Sequence, residues 1–449
     1  MKKVFALLMA AVMVLGLFAG CGAESNSETT NASTAGDSAS NGASAAEGTI
    51  KVGAIGPLTG DYALYGNAVA WGIQVAIDEI NAKGGLQFEL LSEDDQGDPT
   101  QAVNAYNAEM EKGMQVLLGT TTSGACAAVA DVANEERVFV LTPSASNPVV
   151  NEGKDNVYQV CFTDPNQGAS AAQTIQSLGV GSKVAVIYNN AQDYSTSIYQ
   201  TFVSKAQEIG LEVVATATFS DDGNADFSTQ LQAAANADAD LVFLPIYYTP
   251  IVAIMQQAHD KGYDFKFFGV DGMDGLLDVD GFDTALAEGS YMLTPFDAHK
   301  SDDLTTSFVS TYEAKYGVTP NQFAADAYDA MYIFYAACQA LGFTSETSAQ
   351  DICEAMIPWM QTYTYTGLTG ENMVWTADGC VSKVATAYVI KDGSYASAGK
   401  TEPDESSCVT AENRAGPERD SARYHALPGM TSPVHPRFFQ GANGACHLG

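Results

Sequence analysis

From residue 49 onward, apolar runs of strand length alternate with longer segments whose apolar positions recur at helical spacing. TIKVGAIGP (49–57) reads as a strand, and NAVAWGIQVAIDEINAKGG (67–85) as a helix with glycines past its end. FELLSEDD, MQVLLGT and VFVLTP are the next strands. PTQAVNAYNAEMEK and SGACAAVADVANEE are the helices between them, the second with Ser123 at its expected N-cap. A β-α-β-α-β-α-β order predicts a parallel sheet covered by helices on both faces.

The pattern then starts again. YQVCF, AAQTIQSLG, KVAVIYN, SIYQTFVSKAQEIG, EVVATATF, DFSTQLQAAANA, DLVFLPI, PIVAIMQQAHDKG and KFFGVDG form a second alternating set. Helical segments follow within 302–316, 320–343 and 348–362, then strands near 371–376 and 384–391. The short stretches 162–166, 292–296 and 363–370 have the character of crossings between lobes. The expected fold class is therefore α/β with two lobes, each a parallel sheet flanked by helices, joined by a three-stranded hinge. The expected division is 49–163 plus 295–366 for lobe 1 and 164–294 plus 367–395 for lobe 2.

The ends of the chain differ. MKKVFALLMAAVMVLGLFAGCG carries two lysines, an apolar run too short for a membrane span, and small residues before Cys21. This layout, residues 1–21, resembles a bacterial lipoprotein signal, which implies lipidation at Cys21 and an extracytoplasmic protein anchored to the cell membrane, or a periplasmic one where an outer membrane exists. Residues 22–48 contain no large apolar side chain and are expected to be a disordered tether. Residues 396–449 are rich in Pro, Gly and Arg without periodicity and are expected to be a disordered tail. A metal site from His425, His435, Cys446 and His447 matches no ligand spacing.

Composition narrows the function. Forty-six per cent hydrophobic residues support a folded core, while 54 acidic against 20 basic residues give a formal charge of −34. Phosphate backbones are held by clustered Lys and Arg, so nucleic acid is not an expected partner. Enzymatic signals fail on spacing. GAIGPLTG is not G-x-G-x-x-G, GSYASAGKT misses the phosphate-loop spacing, and neither G-x-S-x-G nor H-E-x-x-H occurs. DGNADF opens like a calcium loop but has Ala233 where the bidentate Glu belongs. No cofactor, metal or catalytic group is expected. Eight cysteines lack any C-x-x-C pair, and an exported compartment would permit disulfides without fixing their pairing.

Binding chemistry is better represented. LLGTTTSG and FVLTPSASNP deliver hydroxyls where two strands stop, in the position where open α/β sheets collect ligands. Ser123 at a helix start, with Ser144 and Ser146, suits a carboxylate. IKVGAIGPLTGDYALYG, DDQGDPTQAV, LLGTTTSG, VFVLTPSASNP, NNAQDYSTS, FFGVDG and PNQFAADAYDAMY, in this order, resemble the branched-chain amino acid binding proteins of ABC importers, a type I periplasmic-binding-protein family. The resemblance covers about residues 49–395. It implies that Ser123 holds the ligand's α-carboxylate and that Ser144, Ala145 and Ser146 contact carboxylate and ammonium through backbone and hydroxyl. It further implies that Tyr65 and Tyr328 flank the ligand, and that Tyr194, Tyr247 and Asp271 of lobe 2 receive the ammonium. Asp271 stands where the family often has the longer Glu, and Gly97 and Thr122 stand where some relatives place a disulfide. The implied partners are an amino acid of branched-chain or aliphatic type, importer permease subunits, and the membrane through the lipid anchor. A sensory receptor module for an amino acid or small amide is the alternative.

Overall fold

The computed structural model describes residues 48–220 and 226–400. Cys21, the tether and the segment from 401 onward lie outside these residues. No described helix is long and apolar enough to cross a membrane.

The first sheet is built from β1 (Thr49–Gly56), β2 (Gln87–Asp94), β3 (Val116–Leu117), β4 (Val140–Thr142) and β5 (Val157–Gln159), in the order β2-β1-β3-β4-β5 and parallel throughout. Parallel pairing needs crossovers, and α1 (Ala63–Ala82), α2 (Pro99–Glu111) and α3 (Ser123–Glu136) supply them. The second sheet contains β6 (Lys183–Asn189), β7 (Glu212–Phe219), β8 (Leu241–Leu244), β9 (Lys266–Gly269) and β10 (Tyr291–Thr294). Around it run α4 (Asp164–Leu178), α5 (Asp193–Ile209), α6 (Ser228–Asn236) and α7 (Tyr248–Asp260). Its order is β12-β11-β10-β9-β8-β6-β7; β11 (Thr386–Lys391) and β12 (Ser394–Lys400) are antiparallel additions at one edge. Two sheets, one per lobe, with three crossings between them, reproduce the expected fold class.

After the second sheet the chain returns to the first. The helices α8 (Asp303–Tyr316), α9 (Gln322–Leu341) and α10 (Ala349–Met360) follow β10, and α9 lies along α1. Their starts are written in the sequence: the side chains of Asp302, Asn321 and Ser348 accept backbone amides of Thr305, Ala324 and Asp351. The α1–α9 seam requires Gly72, because a Cβ there would come within 2.1 Å of the Ala324 carbonyl oxygen.

Several elements depart from expectation. The anticipated strand MQVLLGT is regular only at Val116 and Leu117; beyond them single amides, Leu118 to the Gly53 carbonyl and Thr121 to that of Ile55, still hold β1 as the chain turns into α3. The segment 371–376 forms only the isolated bridges Tyr365–Met373 and Trp375–Val381. The crossing 162–166 is shorter than expected, because Asp164 already begins α4 with Pro165 in its first turn. β12 extends the second lobe past the expected boundary at 395. Ser123 does not cap α3. Thr122 holds that position, and Ser123 Oγ instead accepts the Asn147 amide at 3.3 Å. Cys126, Cys161, Cys338, Cys353 and Cys380 are buried thiols, and burial raises the pKa of Cys126, Cys161, Cys338 and Cys353.

Candidate functional site

The ends of β3 and β4 are tied together before any ligand is considered. Thr142 Oγ1 donates to the Thr120 carbonyl at 2.9 Å and accepts the amides of Ala145 (2.9 Å) and Ser144 (3.3 Å). Of the alternating hydroxyls in FVLTPSASNP, the first is thus a structural pin. It turns the chain so that Ser144 faces the seam between the lobes. Ser144 and Ser123 lie on the wall of a small, nearly closed cavity, together with Thr121 and Thr122. With the lobes this close the space between the walls is about 10 Å3, room for about one water and far below the usual pocket range of about 300–1,000 Å3, so an amino acid fits only if the walls move apart.

The opposite wall belongs to the second lobe: Tyr194 from α5, Tyr247 at the start of α7, and Asp271 with Gly272 in a 3-10 turn after β9. Asp271 is 3 % exposed. Its Oδ1 accepts from Tyr194 Oη at 2.5 Å and its Oδ2 from Gln167 Nε2 at 2.7 Å, while its own amide donates to Gln167 Oε1 at 3.1 Å. Burial pushes its pKa up to about 7, against the lowering effect of Tyr194 and Gln167. Gln167 lies in α4, so the acid is braced within its own lobe.

Tyr65, from α1, crosses the seam. Its hydroxyl donates to the Gly272 carbonyl at 2.6 Å and accepts the Tyr248 amide at 3.0 Å. Its ring lies 4.8 Å from Phe323 at the start of α9, and Tyr194 stacks on Tyr247 at 4.7 Å. Further bonds hold the lobes shut: Asn147 Nδ2 to the Asp193 carbonyl (2.8 Å), Thr249 Oγ1 to the Asp61 carbonyl (2.7 Å), and the Gln322 amide to Asp274 Oδ2 (2.9 Å). A more open groove outside the cavity shares Thr122, Tyr194 and Tyr247 with it and forms its mouth.

Six of the nine anticipated ligand residues therefore line one cavity: Tyr65, Ser123, Ser144, Tyr194, Tyr247 and Asp271. Three do not. Ala145 is fully buried, its amide taken by Thr142 and its carbonyl by Gln159 Nε2 at 2.8 Å. Ser146 lies behind the wall; its Oγ is buried without a hydrogen-bond partner among the described residues. Tyr328 faces elsewhere, bonding Glu79 Oε2 at 2.7 Å. Five residues along α9 turn a side chain by about 140° from Phe323, at about 100° per residue. Phe323 and Gly272 were not anticipated as wall residues, while Thr121 and Thr122 belong to the hydroxyl run of LLGTTTSG but carried no assigned ligand contact. Phe323 was detectable, since it stands at the first turn of a helix whose capping Asn321 is explicit.

Residues 49–394 match the model of the family described as periplasmic binding protein. The chain belongs to this family of substrate-binding proteins. A Leu/Ile/Val-binding protein of Rhizobium johnstonii is 30% identical over 304 residues, covering 67% of this chain and 82% of the relative. A leucine-, isoleucine-, valine-, threonine- and alanine-binding protein of Pseudomonas aeruginosa is 26% identical over 319 residues, or 70% and 83% of the two chains. Among solved structures, the branched-chain amino acid transporter substrate-binding protein LivJ of Streptococcus pneumoniae, in complex with isoleucine, superposes with a TM-score of 0.72. It is 28% identical and covers 79% of this chain and 100% of its own. The leucine-binding protein LivK of Thermotoga maritima gives 0.70 at 29% identity, covering 79% and 99%.

Proposed function

We propose that the chain captures a single amino acid of branched-chain or aliphatic type between its lobes and presents it to an ABC importer, tethered to the membrane through a lipid on Cys21. The observation that carries this reading is the opposition of Ser123 and Ser144 to Asp271 across one enclosed cavity. A zwitterion needs donors at one end and an anionic acceptor at the other. The hydroxyls and the start of α3 supply the first, and Asp271 supplies the second. In this reading Tyr65, Tyr194 and Tyr247 enclose the Cα region, and Phe323 bounds the side-chain end. An ammonium arriving at Oδ1 favours the ionised form of Asp271 and so lowers its pKa from about 7.

Because donors and acceptor sit on different lobes, a ligand gains both sets of contacts only with the cleft shut, and that difference drives closure. A few charge-assisted hydrogen bonds, at roughly 1.5–3 kcal/mol each, suffice for micromolar affinity. The test is a thermal-shift screen over the twenty common L-amino acids. Leucine, isoleucine or valine should raise the melting temperature most, since a ligand bound only by the folded state stabilises it. A screen in which no amino acid shifts the transition would refute the proposal.

A further inference from the structure

Asp164 is the first residue of α4, immediately after the first crossing, and it is fully buried. Its backbone amide donates to the Ser146 carbonyl of the first lobe at 3.0 Å. Neither of its carboxyl oxygens has a hydrogen-bond partner among the described residues. Ser146 and Asn147 of the first lobe and Ser197 of α5 in the second bring polar groups near it that partly favour the carboxylate, though none reaches direct hydrogen-bond geometry. Its place is therefore the seam itself, packed from both sides, and its neighbours Asn147, Thr163 and Ser197 line a solvent-open cleft. An unpaired carboxylate in such a place is costly, and the acid is expected to be protonated when the lobes are shut.

The surrounding charges do not relieve it. Asp271 adds a like charge, and burial is the largest influence, raising the pKa well above the ordinary carboxylate value. The Cys161 thiol, one turn of crossing away, is itself pushed up by burial. The Lys383 ammonium, which acts on Cys161, is already paired with Asp326 and Thr369 Oγ1. Asp193, reached through Asn147, offers only its carbonyl to the seam. The helix start favours an anion but is outweighed.

We propose that Asp164 couples closing of the lobes, and with it ligand capture, to the uptake of one proton from solvent. On opening, Asn147 and Ser197 part, water reaches the carboxyl, and the group returns toward an ordinary value of about 3.9. On closing, the carboxylate takes a proton and becomes the neutral acid. Between these limits the closed form binds more protons than the open form, so closure weakens as pH rises, by up to about tenfold per unit for one proton. Asp271 does not cancel this. Its braces, Tyr194 and Gln167, lie on its own lobe and stay with it on opening.

The half of the proposal that concerns ligand rests on the function proposed above; the half that concerns closure does not, and the experiment separates them. The lobes are locked with a short bis-maleimide between cysteines in the Asp61→Cys, Thr249→Cys double variant, at the cross-lobe contact already described. Carboxyl 13C resonances of Asp-labelled protein are then titrated from pH 3 to 9, before and after locking, with Asp164→Asn assigning the signal. The expected midpoint lies well above the ordinary carboxylate range when locked and moves down toward that range when unlocked, and Ser197→Ala raises the locked value further. A locked midpoint within the ordinary carboxylate range, or no change on locking, overturns the coupling. In the native chain, calorimetry with L-isoleucine in two buffers of different ionisation heat should show more proton uptake on binding than in Asp164→Asn, the proton released by Asp271 being common to both. Equal uptake by the two proteins overturns the ligand half. Absence of isoleucine binding to the native chain counts against the proposed function and leaves the locked titration to decide on Asp164.

Discussion

Each lobe buries an acid beside its sheet, and the two could hardly be treated more differently. In the second lobe Asp271 is wrapped by Tyr194, Gln167 and its own turn, at the wall of a cavity. In the first, Glu109 near the end of α2 is fully buried with neither oxygen bonded among the described residues. It leans on β1 so closely that a Cβ on Gly53 would lie 2.3 Å from Oε2. Burial raises both acids, Asp271 to about 7 and Glu109 to about 9. A raised pKa therefore does not mark a binding group. What separates the two is the braced geometry of one and its position opposite hydroxyls that the other lobe supplies.

The largest effect is expected where that geometry is removed. Asp271→Ala should weaken amino-acid affinity at least tenfold by calorimetry while leaving the fold intact. Unchanged affinity would place the ammonium elsewhere. Glu109 should speak only through stability. Its folded pKa lies above its unfolded value of about 4.3, so its contribution is fully present below that pH and is lost as pH rises through about 9. Glu109→Gln should flatten this decline, raising the melting temperature at pH 9 more than at pH 5 without altering ligand affinity. An equal shift at both pH values would mean that Glu109 does not titrate in this window. The smallest effect belongs to Tyr328→Phe. It loses one bond to Glu79, worth about 0.5–1.5 kcal/mol of stability, and should leave affinity within about twofold. A tenfold loss there would return Tyr328 to the ligand site.

Much of the fold was legible because period-2 and period-3.6 runs alternate cleanly and helix starts carry their caps. The first wall of the cavity was legible for a related reason. Its residues follow strand ends, so a few contiguous positions supply Thr121, Thr122, Ser123 and Ser144. The second wall is assembled from positions 167, 194, 247 and 271, and only the family resemblance brought most of these together. Gln167, which braces Asp271 from another helix, carries no local mark. β12 escaped notice because SYASAGK is small and polar, as an edge strand paired on one side is free to be. Tyr328 was misplaced by helix phase, and Ala145 because its polar groups are consumed by Thr142 and Gln159.

The packing of α9 on α1 also sets a timetable. The sheet of the first lobe is complete in sequence by Gln159, yet the helix that covers its α1 face ends only at Leu341. During synthesis the N-terminal half emerges with that apolar surface uncovered, and contacts this distant are slow to form. A nascent chain so arranged has little to gain from folding early, which is the condition a polypeptide must keep if it is to be threaded through a membrane before it matures.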